Sequence, residues 1–145
     1  KLDFKKFHPS GALGIKLKTV EDLMVKKNEI PFIYEYNSMK VGLKVISEKN
    51  LGTLIVKNKK GNTVGIITDG DIKRASNKYE NIKNAIIKDV MSKKPISIEK
   101  NTLAVEALTI MNNKQITGLC VHSKKNYNKT IGFLHIHSIL KANIQ

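Results

Sequence analysis

An α/β (α+β) fold made of two strand–helix–strand–strand–helix units is predicted by three features of the sequence. Runs of β-branched apolar residues alternate with helix-spaced apolar stripes. One such run, Val64-Gly65-Ile66-Ile67, stops at the corner Thr68-Asp69-Gly70-Asp71 and hands over to a helix. The second half of the chain then repeats the first, element for element.

The elements follow in order. Residues 1–18 read as a linker: Pro9 disfavours helix at His8, and Gly11 and Gly14 lack the lysine-hydroxyl ending of a phosphate loop. Val20 to Met24 is a short helical turn with Thr19 as its cap. Ile30 to Tyr34 is a strand that Pro31 confines to an edge or a strand start. Asn37 or Ser38 caps a helix whose Met39, Leu43 and Ile46 form a buried stripe, and Asn50 and Gly52 end it. Thr53–Val56 and Thr63–Thr68 are strands joined by the turn Lys57–Asn62. The closing helix runs from Asp71 to about Lys78, with Asp69 or Asp71 as its cap.

The repeat is close. Ile87-Lys88-Asp89-Val90-Met91 echoes Val20-Glu21-Asp22-Leu23-Met24. Pro95–Ile98 replaces the first strand, and Asn101 or Thr102 caps a helix carrying Ala104, Leu108 and Met111. Gly118–Val121 and Thr130–His135 match the remaining strands, and a last helix runs from Ser138 onward. Two units of about 65 residues are too long and too few for a solenoid, so a pseudo-twofold pair is expected at 19–80 and 81–145.

Composition narrows the function. The formal charge of +14 invites nucleic acid, yet Arg74 is the sole arginine, the lysines are scattered, and aromatics are 6% with no Trp. A bidentate phosphate reader and a stacking platform are both poorly supplied, so no specific nucleic-acid partner is expected. No apolar run approaches the ~20 residues that span a bilayer, so no membrane partner is expected. The single Cys120, in an apolar run, reads as an inert core thiol, in keeping with a cytoplasmic location. The chain opens on Lys1, so a longer parent is expected.

The corner carries the chemistry. A hydroxyl, Thr68, and a carboxylate, Asp71, stand three residues apart. A carboxylate there can accept two hydrogen bonds from vicinal ribose hydroxyls, and helix N-terminal N–H groups favour phosphate. The alternative is that the two residues only cap the helix.

The duplication, the Asp-Val-Met and Asp-Leu-Met openings, and Gly65-Ile66-Ile67-Thr68-Asp69-Gly70-Asp71-Ile72 resemble a tandem CBS-domain module over Thr19–Gln145. His8-Pro9-Ser10-Gly11-Ala12-Leu13-Gly14 ahead of it is similar to the sugar isomerase–CBS proteins, the D-arabinose 5-phosphate isomerases that supply the precursor of Kdo for lipopolysaccharide or capsule. The resemblance implies a regulatory module and not an enzyme. His8 would match a histidine of the isomerase site whose other parts lie in an upstream domain, and so would be idle. It implies that Thr68 and Asp71 hold a ribose, that Lys73 and Arg74 meet phosphates, and that AMP, ATP or CMP-Kdo is an effector, with no cofactor required. In the second copy His135 replaces Thr68 and Ser138 replaces Asp71, so that site is degenerate or takes another ligand. His135 and His137, with His122 nearby, are two strand-spaced imidazoles short of a metal set, so no metal is expected. The resemblance also implies pairing into homodimers, and tetramers in the parent enzyme. A ligand-free assembly module is the alternative function.

Overall fold

The computed structural model of the protein describes residues 17–144. His8 and nearly all of the expected linker 1–18 lie outside the described residues. The described chain forms two compact units, one contiguous (Asn28–Pro95) and one gathered from residues up to Lys27 and from Ile96 on. These units cut across the repeats, because the opening turn of each repeat packs in the unit formed mainly by the other. Thus α1 (Val20–Leu23) belongs to the two-piece unit.

The contiguous unit holds β1 (Phe32–Tyr34), α2 (Met39–Lys49), β2 (Leu54–Lys57), β3 (Thr63–Ile67), α3 (Asp69–Lys78), α4 (Ile87–Val90) and β4 (Ser92–Lys93). Its sheet order is β1-β2-β3-β4. The β1–β2 pair is parallel, as a crossover through α2 requires, and the other pairs are antiparallel. β1 starts later than expected, after Pro31, and is an edge strand. Ser38 is the cap of α2, its Oγ accepting from Val41 N at 3.3 Å. Asn50 ends α2 in the left-handed region at φ 57°. Met39 is fully buried, while Leu43 and Ile46 are partly buried against a core of Ile33, Leu54, Val56, Ile67 and Ile87.

Two expectations about α3 are corrected. It starts at Asp69, and its cap is Thr68 rather than Asp69 or Asp71. Asp71 lies one turn in and reaches back to the Thr68 N–H, so it completes a capping box. The two-residue strand β4 was not anticipated at all. It pairs Ser92 with Ile66 and Lys93 with Gly65.

The two-piece unit adds β5 (Ser97–Glu99), α5 (Ala104–Lys114), β6 (Gly118–His122), β7 (Gly132–His135) and α6 (Ile136–Ile144) to α1. Its sheet runs β5-β6-β7, parallel then antiparallel. Val20, Met24, Leu108, Met111, Leu119, Leu134 and Ile139 form its core. The expected caps Asn101 and Thr102 do not cap α5. Asn101 is engaged with Glu99, and the Ala104 N–H of the first turn is satisfied by the Lys18 carbonyl at 2.9 Å. α6 begins at Ile136, two residues before Ser138.

One contact is built twice. Met91 lies on Gly65 in the contiguous unit, and Met24 lies on Gly132 in the other. Val25 also bridges Phe133 as β4 pairs with β3, with N–H to carbonyl distances of 2.9 and 3.1 Å. Both glycines are therefore required by close approach. A Cβ on Gly65 would overlap Met91 Sδ and come within 2.9 Å of the Ser92 carbonyl oxygen. The three atoms nearest a Cβ on Gly132 all belong to the Met24 side chain, which can move. Gly65→Ala is therefore expected to cost about 1–3 kcal/mol, and Gly132→Ala less, by urea denaturation with unchanged m.

Candidate functional site

The Thr68–Asp71 corner is formed where β3 gives way to α3. Asp71 is 4% exposed, an uncommon placement for a carboxylate, and it is held by four donors. Its Oδ2 accepts from Thr68 N at 2.9 Å and from Thr68 Oγ at 3.2 Å. Its Oδ1 accepts from Arg74 Nη2 at 2.6 Å and from Ser92 Oγ at 2.5 Å. The capping reading and the ligand reading thus fall on different oxygens of one side chain.

Thr68 is exposed, and Arg74 is 71% exposed while its guanidinium lies over Gly70. The mouth of the corner is therefore a hydroxyl, a bare stretch of backbone and a cation. Lys73 is exposed and stands about 200° around α3 from Asp71, so the helix turns it away from this group. Ser92 was missed in the sequence. It joins the corner only through the β3–β4 register, for which a two-residue strand leaves no periodic signal.

The second corner is built differently. His135 ends β7, and its Nδ1 accepts from His137 N at 3.1 Å, capping α6 where Thr68 caps α3. Burial, then the neighbouring His137, pushes the His135 imidazole below its ordinary pKa, which favours the neutral acceptor form. His137 lies on the first turn of α6, not on a strand, so the expected shared strand face does not exist. Because Gly118 pairs with His135, His122 sits four residues along β6, about 13 Å from it. His122 Nδ1 instead bonds Ser97 Oγ at 2.6 Å. Among the described residues no three His, Cys, Asp or Glu side chains are placed to hold a metal. Ser138 is partly buried and, lacking a carboxylate, offers a diol no paired acceptors.

A separate hollow of about 330 Å³ lies at the other end of the first sheet. Its lining includes Phe32, Tyr34, Val41 and Val45 together with Asn37, Lys57 and Asn58. Lys57 Nζ stands 4.0 Å over the Phe32 ring. None of the corner residues lines it.

With this geometry in hand, comparison with known proteins assigns the fold. Residues 20–78 and 87–144 each match the CBS domain. The chain belongs to the CBS-domain family. The CBS pair of protein MJ0100, in complex with 5′-methylthioadenosine and S-adenosyl-L-methionine, superposes with a TM-score of 0.73. It is 21% identical and covers 86% of this chain and 98% of that one. CBSX2 in complex with AMP is 21% identical, with a TM-score of 0.73, over 86% of this chain and 94% of that one. In sequence the chain is 36% identical over 143 residues to the arabinose 5-phosphate isomerase KdsD of Yersinia pestis. It is 35% identical over 142 residues to the uncharacterized protein RP505 of Rickettsia prowazekii. Each match covers 98% of this chain, and the chain spans 43% of the length of these curated relatives. The two matches take up nearly all of the described residues, and a catalytic isomerase domain is not among those residues. No helix among the described residues is long and apolar enough to cross a membrane.

Cys120 is buried in β6, and that burial pushes its thiol up to about 12, against a hydrogen bond with Thr130 that works the other way. At pH 8 roughly one thiol in ten thousand is then ionised. Ellman's reagent is expected to leave the native protein unlabelled over the time in which urea-unfolded protein labels completely.

Proposed function

We propose that this chain is the regulatory CBS pair of an arabinose 5-phosphate isomerase, sensing a nucleotide at the Thr68–Asp71 corner. The carrying observation is the buried Asp71, whose Oδ1 faces only donors that a ligand can replace. The KdsD relatives support the parent activity, which would serve Kdo and lipopolysaccharide or capsule formation in the cytoplasm. The AMP and S-adenosyl-L-methionine complexes of the structural neighbours support an adenosine ligand. AMP, ATP and the nucleotide sugar CMP-Kdo are the candidates, the last as a pathway product acting back on the isomerase. Thr68 and Asp71 grip the ribose and Arg74 meets the phosphate. Lys73 adds only diffuse charge, and the His135–Ser138 corner does not grip a diol. Occupancy would reach the isomerase domain with a coupling of about 1–3 kcal/mol.

Charge-assisted hydrogen bonds contribute about 1.5–3 kcal/mol each, so Asp71→Ala is expected to weaken nucleotide affinity at least tenfold by calorimetry. An unchanged affinity would remove Asp71 from the site. In wild type, a true ligand at 100 times its dissociation constant stabilises by about 2.7 kcal/mol, which a thermal-shift screen of the three candidates resolves.

A second reading, assembly into homo-oligomers, is favoured by a different observation. Val41 on α2, 42% exposed, lines the hollow with Tyr34 at 38%, and the Tyr34 ring packs edge-on against Tyr36 at 55%. If copies associate through this face, Val41→Lys is expected to convert dimers to monomers in sedimentation velocity. A wild-type monomer at high concentration would rule this reading out.

A further inference from the structure

The four donors on Asp71 differ in how easily they can leave. The two on Oδ2 both come from Thr68, the residue that caps α3, and removing them would undo the cap. The two on Oδ1 come from elsewhere. Ser92 donates from β4 through a hydroxyl that can rotate away, and Arg74 donates from a side chain that is largely in solvent. Oδ1 therefore holds two O–H or N–H donors at once, neither of which forms the cap of α3. A cis-diol presents two O–H donors on adjacent carbons, the same number in the same small volume.

We infer that Ser92 and Arg74 are built-in occupants of the diol subsite, and that a ribose-bearing ligand binds by displacing both from Asp71 Oδ1. This rests on the nucleotide reading of the corner. Ser92 is the affinity-setting residue, because its hydroxyl competes for the oxygen that the ligand needs. The exchange has two consequences for the ligand. A 2′-deoxyribose supplies one hydroxyl for two vacated donors and leaves the oxygen underfilled. Arg74, once released, has its guanidinium free above Gly70 at the mouth of the corner, where an anionic group on the ligand can take it. The preferred ligand is thus a ribonucleoside carrying phosphate, ahead of the bare nucleoside or the deoxynucleotide.

The exchange also acts on the protein. β4 is two residues long and is held to β3 through the Gly65 and Ile66 register. The Ser92 hydroxyl ties it to α3 as well. Losing that tie loosens β4, and the chain leaves the contiguous unit two residues later, at Pro95. Ligand entry is therefore reported at the exit strand of the unit.

The test uses the whole 145-residue chain with AMP and 2′-deoxy-AMP as probes. By calorimetry, Ser92→Ala is expected to tighten AMP binding about three- to tenfold, and Ser92→Thr, which keeps the hydroxyl, to restore the wild-type value. By hydrogen exchange, AMP is expected to speed exchange at residues 92–93 of the wild type. In Ser92→Ala that segment exchanges fast before AMP is added and changes no further. A structural role alone would lower stability without tightening the ligand. Unchanged or weaker AMP binding by Ser92→Ala overturns the inference, as does slower exchange at β4 on adding AMP. If wild type binds AMP and Asp71→Ala does not, either result counts against Ser92 alone. If millimolar AMP fails to bind wild type, the nucleotide reading falls and takes the Ser92 exchange with it.

Discussion

The meeting of Ser92 with Asp71 depends on a thioether lying where a side chain is missing. Met91 can rest on β3 only because residue 65 is glycine. That contact brings the chain after α4 alongside β3, where two residues are enough to form β4. Only then does Ser92 stand next to Asp71. The same arrangement recurs with Met24 and Gly132, and there it yields the single bridge from Val25 to Phe133. A short apolar turn from one repeat thus completes the core of the unit formed mainly by the other. Ile87 is fully buried in the contiguous unit and Val20 in the two-piece unit.

The two corners then diverge by one exchange of chemistry. In the first, a carboxylate one turn into α3 closes the helix end and retains an oxygen for other donors. In the second, an imidazole at the end of β7 closes the helix end by itself, and the residue one turn in is a serine. Once the imidazole nitrogen has taken the helix N–H, a carboxylate is no longer needed for folding at that position. The two halves can therefore keep the same backbone while differing in what they can hold. The pressure on the His135 nitrogen to remain unprotonated fits its task as an acceptor, because a cation there would face the positive end of α6.

The repeat, every strand but β4, and most helix positions are legible in the sequence because they are written in period and composition. Val64, Ile66 and Ile67 mark a buried strand, and Met39, Leu43 and Ile46 mark a helix face. Cap positions were less legible. Aspartate is common at caps, so Asp71 looks like one in the sequence, but a carboxylate can serve the same N–H from one turn inside the helix. Asn101 and Thr102 look like caps for the same reason, whereas the carbonyl of Lys18, remote in sequence, takes the Ala104 N–H. The exchange of opening turns was hidden because sequence proximity suggests local packing. Ser92 was hidden with it, being a small polar residue in a stretch with no apolar rhythm. The pairing of Asp71 with Thr68 came through because both lie within one local motif, while Ser92 and Asp71 meet only after β3 and β4 are in register.

The discontinuity of one unit bears on how the chain is made. Residues 28–95 emerge from a ribosome as one uninterrupted stretch and hold every strand of their own sheet, so they can close early. Val20 and Met24 leave the exit tunnel before that stretch, yet the Leu108, Met111 and Leu134 they pack with follow only after it. Until then Val20 and Met24 are apolar side chains without the core they pack in. Of the two units, the one completed after the other is therefore the more exposed to mispairing between nascent copies, and a slow stretch of translation after Pro95 would lengthen that interval.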